Sequence, residues 1–236
     1  MRSLAINVGA NTNEPGFRGP LYPDGSFEYV PIPESKPTSE AVPTYADLDL
    51  ATDVRDVADR PVHFDPEFPE VGGERYTYGD EHGVKAGPIA SLSTGDYLVF
   101  YATLSTPADP PDWAPPEWGA FCIGHFRLAR PPVTGEAYAD LPPDERAVFA
   151  SNAHVRRDPF DARVLVLGDP EDSRLYDAAV PLSTPAAGTE ANWLVTDCSA
   201  DSGKGPWWRR PLRFDEAGTG RLLAAVDAAP VIDQSK

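Results

Sequence analysis

The sequence predicts a β-dominated α+β fold: a single domain over residues 1–236, with a strongly curved or barrel-like mixed sheet and few short helices. Two observations carry that expectation. The runs Tyr97–Leu104 and Trp118–Leu128 are predominantly apolar and rich in aromatic and β-branched residues. Runs without polar alternation belong to strands covered on both faces, or to barrel staves. The chain is also punctuated throughout by glycine and by 27 prolines, which leaves little room for long helices.

Taken in order, an apolar strand Leu4–Gly9 runs into the polar, Gly- and Pro-rich segment Asn11–Pro20, and a turn at Pro23-Asp24-Gly25 leads to a second strand closed by Pro31-Ile32-Pro33. A loop with its path set by Gly and Pro between two strands is a common way to present a ligand site; a loop that only turns a corner is the plainer alternative. Residues 34–60 and 107–116, one acidic and both proline-rich, read as surface loops, the first with a short helix near 51–58. Gly95-Asp96 reads as a turn whose Asp side chain caps backbone N–H groups. Further strands are expected at 163–168, 175–182 and 193–197. Helices are expected from Pro142, where proline and acidic residues occupy a first turn, and over 216–227.

Composition narrows the function. Asp and Glu total 37 against 20 Lys and Arg, a formal charge of −17, and the only lysines are Lys36, Lys85, Lys204 and Lys236. This balance suggests adaptation to high salt, where screening within about 3 Å at 1 M removes self-repulsion; an acidic mesophilic protein is the alternative. Such a chain is not a lysine-rich, nonspecific nucleic-acid binder, so any nucleic-acid contact needs a local patch such as Arg156-Arg157, Arg209-Arg210-Arg213 or Arg127 with Arg130. No run of 18 apolar residues and no signal-type leader is present, so a soluble, cytoplasmic protein without membrane association is expected. Cys122 and Cys198 are far apart and lack CxxC spacing, which points to free buried thiols.

No HExxH, phosphate-loop, GxGxxG or GxSxG motif occurs, and no motif names a cofactor. Asn152-Ala153-His154-Val155-Arg156 stands out instead. In an extended segment Asn152, His154 and Arg156 share a face, offering an amide for a base edge, an imidazole and a guanidinium for phosphate. His63 and Asp65 of His63-Phe64-Asp65-Pro66 can face one side as an acid–base pair or as metal ligands, or Asp65 can simply cap a turn. A catalytic zinc needs a third ligand, which His154 supplies only if the fold brings it close. Tyr101 offers stacking on a base or core packing, and Trp207-Trp208-Arg209-Arg210 offers the same choice.

The order of these features resembles that of the third nucleotide-modification-associated domain family. Gly16-Phe17, Pro20, Pro23-Asp24-Gly25 and Pro31-Ile32-Pro33 resemble its opening; His63-Phe64-Asp65-Pro66 resembles its His-Asp-Pro motif; Gly95 to Tyr101 resembles its Gly-Asp-led strand; and Asn152-Ala153-His154 resembles its Asn/His motif. Asn11, Thr12 and Asn13 stand where that family's opening carries an Asp, and Glu14 is the nearest acid. The resemblance implies a role beside nucleic-acid base modification.

The leading expectation is a protein that binds a nucleotide or nucleic-acid base, in DNA or RNA, and modifies it or reads its modification. Asn11, Asn13, Phe17, His63, Asp65, Tyr101, Asn152, His154 and Arg156 are its expected site residues, with no resident metal assigned. As an enzyme, it uses His154 as general acid or base, Asp65 to orient its partner and Arg156 to hold phosphate. As a reader, it sets Asn and His groups on the base edge and Phe17 or Tyr101 on its face. The alternatives are a metal-assisted hydrolase using His63, Asp65 and His154, and a non-catalytic interaction module.

Overall fold

Mostly short strands and short helices follow one another along the chain, as its glycines and prolines favour. The computed structural model describes residues 1–229. Its strands are β1 (Ser3–Asn7), β2 (Ile32–Pro33), β3 (Val62–His63), β4 (Thr77–Asp80), β5 (Tyr97–Ser105) and β6 (Trp118–Arg127). They continue with β7 (Val133–Thr134), β8 (Val164–Leu167), β9 (Arg174–Pro181), β10 (Ser183–Thr184), β11 (Ala187–Ala191) and β12 (Leu212–Phe214). The helices are α1 (Gly83–Ala90), α2 (Gly135–Ala139), α3 (Pro143–Ala147), α4 (Ala153–Arg156), α5 (Trp193–Thr196) and α6 (Glu216–Asp227). The fold is thus mixed α+β and strand-rich with few helices, and among the described residues no helix is long and apolar enough to cross a membrane.

Two compact units emerge, each assembled from separate stretches of chain. The first takes Met1–Val30, Val99–Gly124 and, of the described residues, 175–229. It holds a five-stranded sheet in the order β12-β1-β5-β6-β9. Ser3, Leu4 and Ala5 of β1 pair antiparallel with Phe214, Arg213 and Leu212 of β12. Phe100, Tyr101, Phe121 and Ile123 in the central strands are fully buried, as their continuous apolar runs predict.

The barrel-like closure expected from those runs is corrected here. β12 and β9 stand at the two ends of the order, and no sheet among the described residues closes on itself. Apolar residues on both faces of a strand report burial on both faces. A covered open sheet satisfies that as well as a barrel does, and an outer strand of three residues such as β12 offers little length for closure.

The second unit takes Pro31–Leu98 and His125–Arg174. Its three-stranded sheet runs β4-β8-β7, with Thr77 to Asp80 of β4 antiparallel to Leu167 to Val164 of β8. β2 and β3 form a separate antiparallel pair in which Ile32 faces His63 and Pro33 faces Val62. Val133, Phe149, Ala162 and Leu165 make a core cluster beneath α2 and α3, with Tyr138, Val148 and Val155 packed on it.

Several elements fall where their residues predict. Gly95 takes a left-handed φ of 81°, and the Asp96 carboxylate accepts the Ser93 N–H at 3.0 Å. Residues 107–116 form an irregular connection between β5 and β6, and 34–60 is largely exposed with 3₁₀ turns at Tyr45–Asp47 and Arg55–Val57. Others differ. The expected strand at 193–197 is a helical turn, because Asn192 caps it by accepting the Leu194 N–H at 2.9 Å. α1 forms although it contains Gly87 and Pro88, residues that argue against a helix.

Candidate functional site

The second unit gathers charge around two of the chain's four histidines. His63 ends β3, and the β2–β3 pairing sets Glu34 beside it. The His63 Nδ1 lies 2.6 Å from the Glu34 Oε2. Two residues on, both Asp65 oxygens accept the Gly79 N–H of β4, at 3.1 and 2.9 Å. His154 arrives on α4, whose N-cap is Asn152: the Asn152 Oδ1 accepts the His154 N–H at 3.0 Å, and its Nδ2 donates to Thr77 Oγ1 at 3.2 Å and reaches Asp65 Oδ1 at 3.4 Å. The His154 Nδ1 in turn meets Asp161 Oδ1 at 2.8 Å.

Each imidazole thus spends its Nδ1 on its own carboxylate and turns its Nε2 inward. Both Nε2 atoms point at one oxygen, Asp65 Oδ2, which lies 3.4 Å from His154 and 3.9 Å from His63. The two rings meet edge to face with centroids 4.7 Å apart. All three side chains are buried, and their inward atoms lie within 4.8 Å of one another.

Arg157 holds the outer carboxylates. Its guanidinium pairs with Glu34 at 3.0–3.1 Å, with Asp161 at 2.8 Å and with Glu81 at 3.2 Å. Lys36 closes the outside, pairing with Glu81 and, at 2.8 Å, with Asp161. Burial works to raise the Glu34 pKa, but the bonds from His63 and Arg157 outweigh it and draw the carboxylate down to about 2. Asp161 is likewise lowered by Lys36, His154 and Arg157 against the effect of burial. The Arg157 guanidinium also lies 3.2 Å from each Nδ1, through Nη1 at His154 and Nη2 at His63, so both imidazoles are fixed in orientation by a carboxylate and a shared guanidinium.

The inner groups shift the other way. Burial, reinforced by neighbouring His63, pushes His154 down to about 4, which keeps it neutral at ordinary pH. Asp65 rises well above the usual carboxylate range, chiefly through burial and then through Asp80 and Glu67. Lys85 on α1 is lowered by burial, with Asp80 and Asp65 opposing. Displaced titrations of this kind, packed together, mark functional centres more often than scaffolding.

Glu67 anchors the flank of the site, accepting from Thr77 Oγ1 at 2.7 Å, Ser151 Oγ at 2.9 Å and the Glu74 N–H at 2.7 Å. Ser151 also lines an open cleft of about 510 Å³ together with Ser39, Glu74, Tyr138, Arg146 and Arg156.

The structure therefore brings together His63, Asp65, Asn152 and His154 of the residues singled out in the sequence. Arg156 is not with them. The segment is helical, so His154 shares its inward side with Arg157, three residues on, while Arg156 turns to the cleft and pairs with Glu74 at 3.2 Å. The expected two-residue alternation is corrected accordingly. Asn152 is fully buried and its amide is committed inside the protein.

The remaining expected residues belong to the first unit. The Asn11 side chain accepts the Asn13 N–H at 2.9 Å in the opening loop, and Phe17 is half-buried there. Tyr101 is fully buried in β5 and its hydroxyl donates to the Arg210 carbonyl at 2.7 Å, a core position with no ring face open to a base. Trp207 is buried too, its indole donating to the Thr189 carbonyl at 2.9 Å. Glu34, Asp161 and Gly79 went unnoticed in the sequence, and Arg157 was weighed only with Arg156 as a basic patch for nucleic acid. A helical reading of 152–157 would have found Arg157; nothing local marks Glu34 as a partner of a residue 29 positions away.

Comparison with known proteins completes the picture. The family model described as nucleotide modification associated domain 3 matches residues 2–224. No curated protein and no solved structure matches the chain. With nearly its whole length matched, the chain belongs to the nucleotide modification associated domain 3 family.

Proposed function

We propose that this protein modifies a nucleotide or a base in nucleic acid, and that His63, Asp65 and His154 form its reactive centre. Family membership supports the setting. The observation that carries the reading is the convergence of two imidazole Nε2 atoms on one buried carboxylate oxygen, each imidazole oriented by a carboxylate of its own. A neutral imidazole with a fixed tautomer beside a carboxyl of raised pKa is suited to moving a proton at neutral pH.

A modifier is favoured over a reader by where the polar groups point. A reader needs amide and imidazole edges turned outward to a base, whereas Asn152 and both histidines direct theirs inward. Asn152 acts here as a positioning residue. Arg146 and Arg156 bring guanidinium groups to the cleft and suit it to a phosphate. The opening loop, with Asn11, Asn13 and Phe17, offers amide and aromatic groups for a base in the first unit.

The test is titration of the purified protein in molar KCl with nucleosides, nucleotides and oligonucleotides, with mass spectrometry of the bases after incubation. Saturable binding or a changed base mass that Asp65→Asn and His154→Gln abolish, while circular dichroism stays native, is the expected result. Failure of the wild-type protein to bind or alter any of them would overturn the proposal.

A further inference from the structure

The inward atoms of the centre converge on one point. Glu34 and Asp161 occupy the Nδ1 side of each imidazole, which leaves His154 Nε2 and His63 Nε2 turned toward Asp65 Oδ2. Two imidazole nitrogens and a carboxylate oxygen converging in this way suit a cation between them.

A tetrahedral ion with bonds of about 2.1 Å sets its ligand atoms about 3.4 Å apart. The Asp65 Oδ2 lies 3.4 Å from the His154 nitrogen and 3.9 Å from that of His63, and the three ligand atoms all fall within 4.8 Å of one another, so small side-chain adjustments would close the set around an ion. The outer shell is also that of a metal centre. Metal-ligating histidines characteristically donate their second ring N–H to a carboxylate, which fixes the tautomer and raises the basicity of the ligating nitrogen; here both do so.

We propose that His63 Nε2, His154 Nε2 and Asp65 Oδ2 together bind one divalent first-row transition-metal ion of the zinc or ferrous-iron class. Two imidazoles and one carboxylate suit these ions, whereas magnesium and calcium prefer all-oxygen shells. Glu67 is not a fourth ligand, since its oxygens are engaged by Thr77, Ser151 and the backbone. Three protein ligands leave at least one coordination position for water or substrate, the arrangement of catalytic rather than structural sites. The inference names the cofactor of the same centre and rests on the function proposed above only for the ion's role in chemistry; with the ion bound, His63, His154 and Asp65 serve as ligands in place of the proton-moving role given to His154 and Asp65 there.

The experiment uses the full chain, stripped with chelator and titrated separately with Zn²⁺, with Fe²⁺ under anaerobic conditions, with Co²⁺ as an absorbing probe, and with Mg²⁺. One equivalent of Zn²⁺ or Fe²⁺ is expected to bind, whichever is tighter naming the ion. Co²⁺ should give visible bands of four- or five-coordination and Mg²⁺ should show no comparable binding. The ion should also raise the melting temperature of the wild-type protein by mass action. Asp65→Asn and His154→Gln should each weaken binding at least tenfold with native circular dichroism. The wild-type titration decides even where a variant fails to fold. Absence of Zn²⁺, Fe²⁺ and Co²⁺ binding would overturn the inference, as would binding that neither variant weakens. Stoichiometric metal without any nucleotide handling would leave this inference standing and remove the function above. Nucleotide handling with no metal bound would do the reverse.

Discussion

Gly79 lies where a side chain would crowd the site. A Cβ built there would lie 2.7 Å from the His154 Cδ2, so that the ring would have to move, and a tight 3.0 Å from the Asn152 Oδ1. The glycine therefore lets the His154 ring lie against β4 while its own N–H serves Asp65. Gly79→Ala should displace His154, and titration of the variant should show metal affinity reduced at least tenfold, beyond what a small loss of stability explains. Arg157 is the other residue on which the site depends. It is buried and bonded to Glu34 and Asp161, so Arg157→Met leaves the buried Glu34 carboxylate without its guanidinium partner. A buried ion pair broken from one side costs about 3–5 kcal/mol, and urea denaturation of the variant should show a loss of that order.

At the scale of elements, α4 is too short to be stable by itself and exists because its ends are fixed. Asn152 caps one end and bonds Thr77 across to β4. Asn152→Ala should cost about 1 kcal/mol for the cap and a further 1–3 kcal/mol for the buried groups left unmatched. Asp215 caps α6 with a single bond to the Gly218 N–H at 2.8 Å, so Asp215→Ala should cost only about 1 kcal/mol; equal losses in the two denaturation curves would argue against the network. These elements also show what was legible in the chain. β5, β6 and α6 announce themselves by long apolar runs or a capped first turn, and their ranges match expectation closely. β2 and β3 are two-residue strands whose pairing depends on the loop between them, and no local pattern encodes that. His63, Asp65 and His154 were readable as residue types worth weighing. Their meeting was not, because it depends on that pairing together with the seating of α4 on β4.

For the whole molecule, the charge of −17 sets the response to salt. Screening falls from about 10 Å at 0.1 M to about 3 Å at 1 M, so self-repulsion of the acidic surface should fade over that range. The melting temperature should rise as KCl is increased from 0.1 to 1 M; a flat or falling curve would contradict adaptation to salt. The buried ion pairs around Arg157 are screened far less, so the centre should keep its architecture throughout. A barrel is not needed to hold such a site. The second unit builds it from the β2–β3 pair, β4 and α4 alone, with its carboxylates supplied by the connections between them.

The central claim is that two imidazoles and one carboxylate converge to hold an ion in a nucleotide-modifying protein. It is tested most directly by X-ray diffraction from crystals grown with the preferred ion, collected at that ion's absorption edge. The account predicts one anomalous peak about 2.1 Å from His63 Nε2, His154 Nε2 and Asp65 Oδ2, with Glu34 and Asp161 still bonded to the far side of each imidazole. A fully occupied ion elsewhere, with a hydrogen-bonded proton closing the gap between Asp65 and His154, would contradict it.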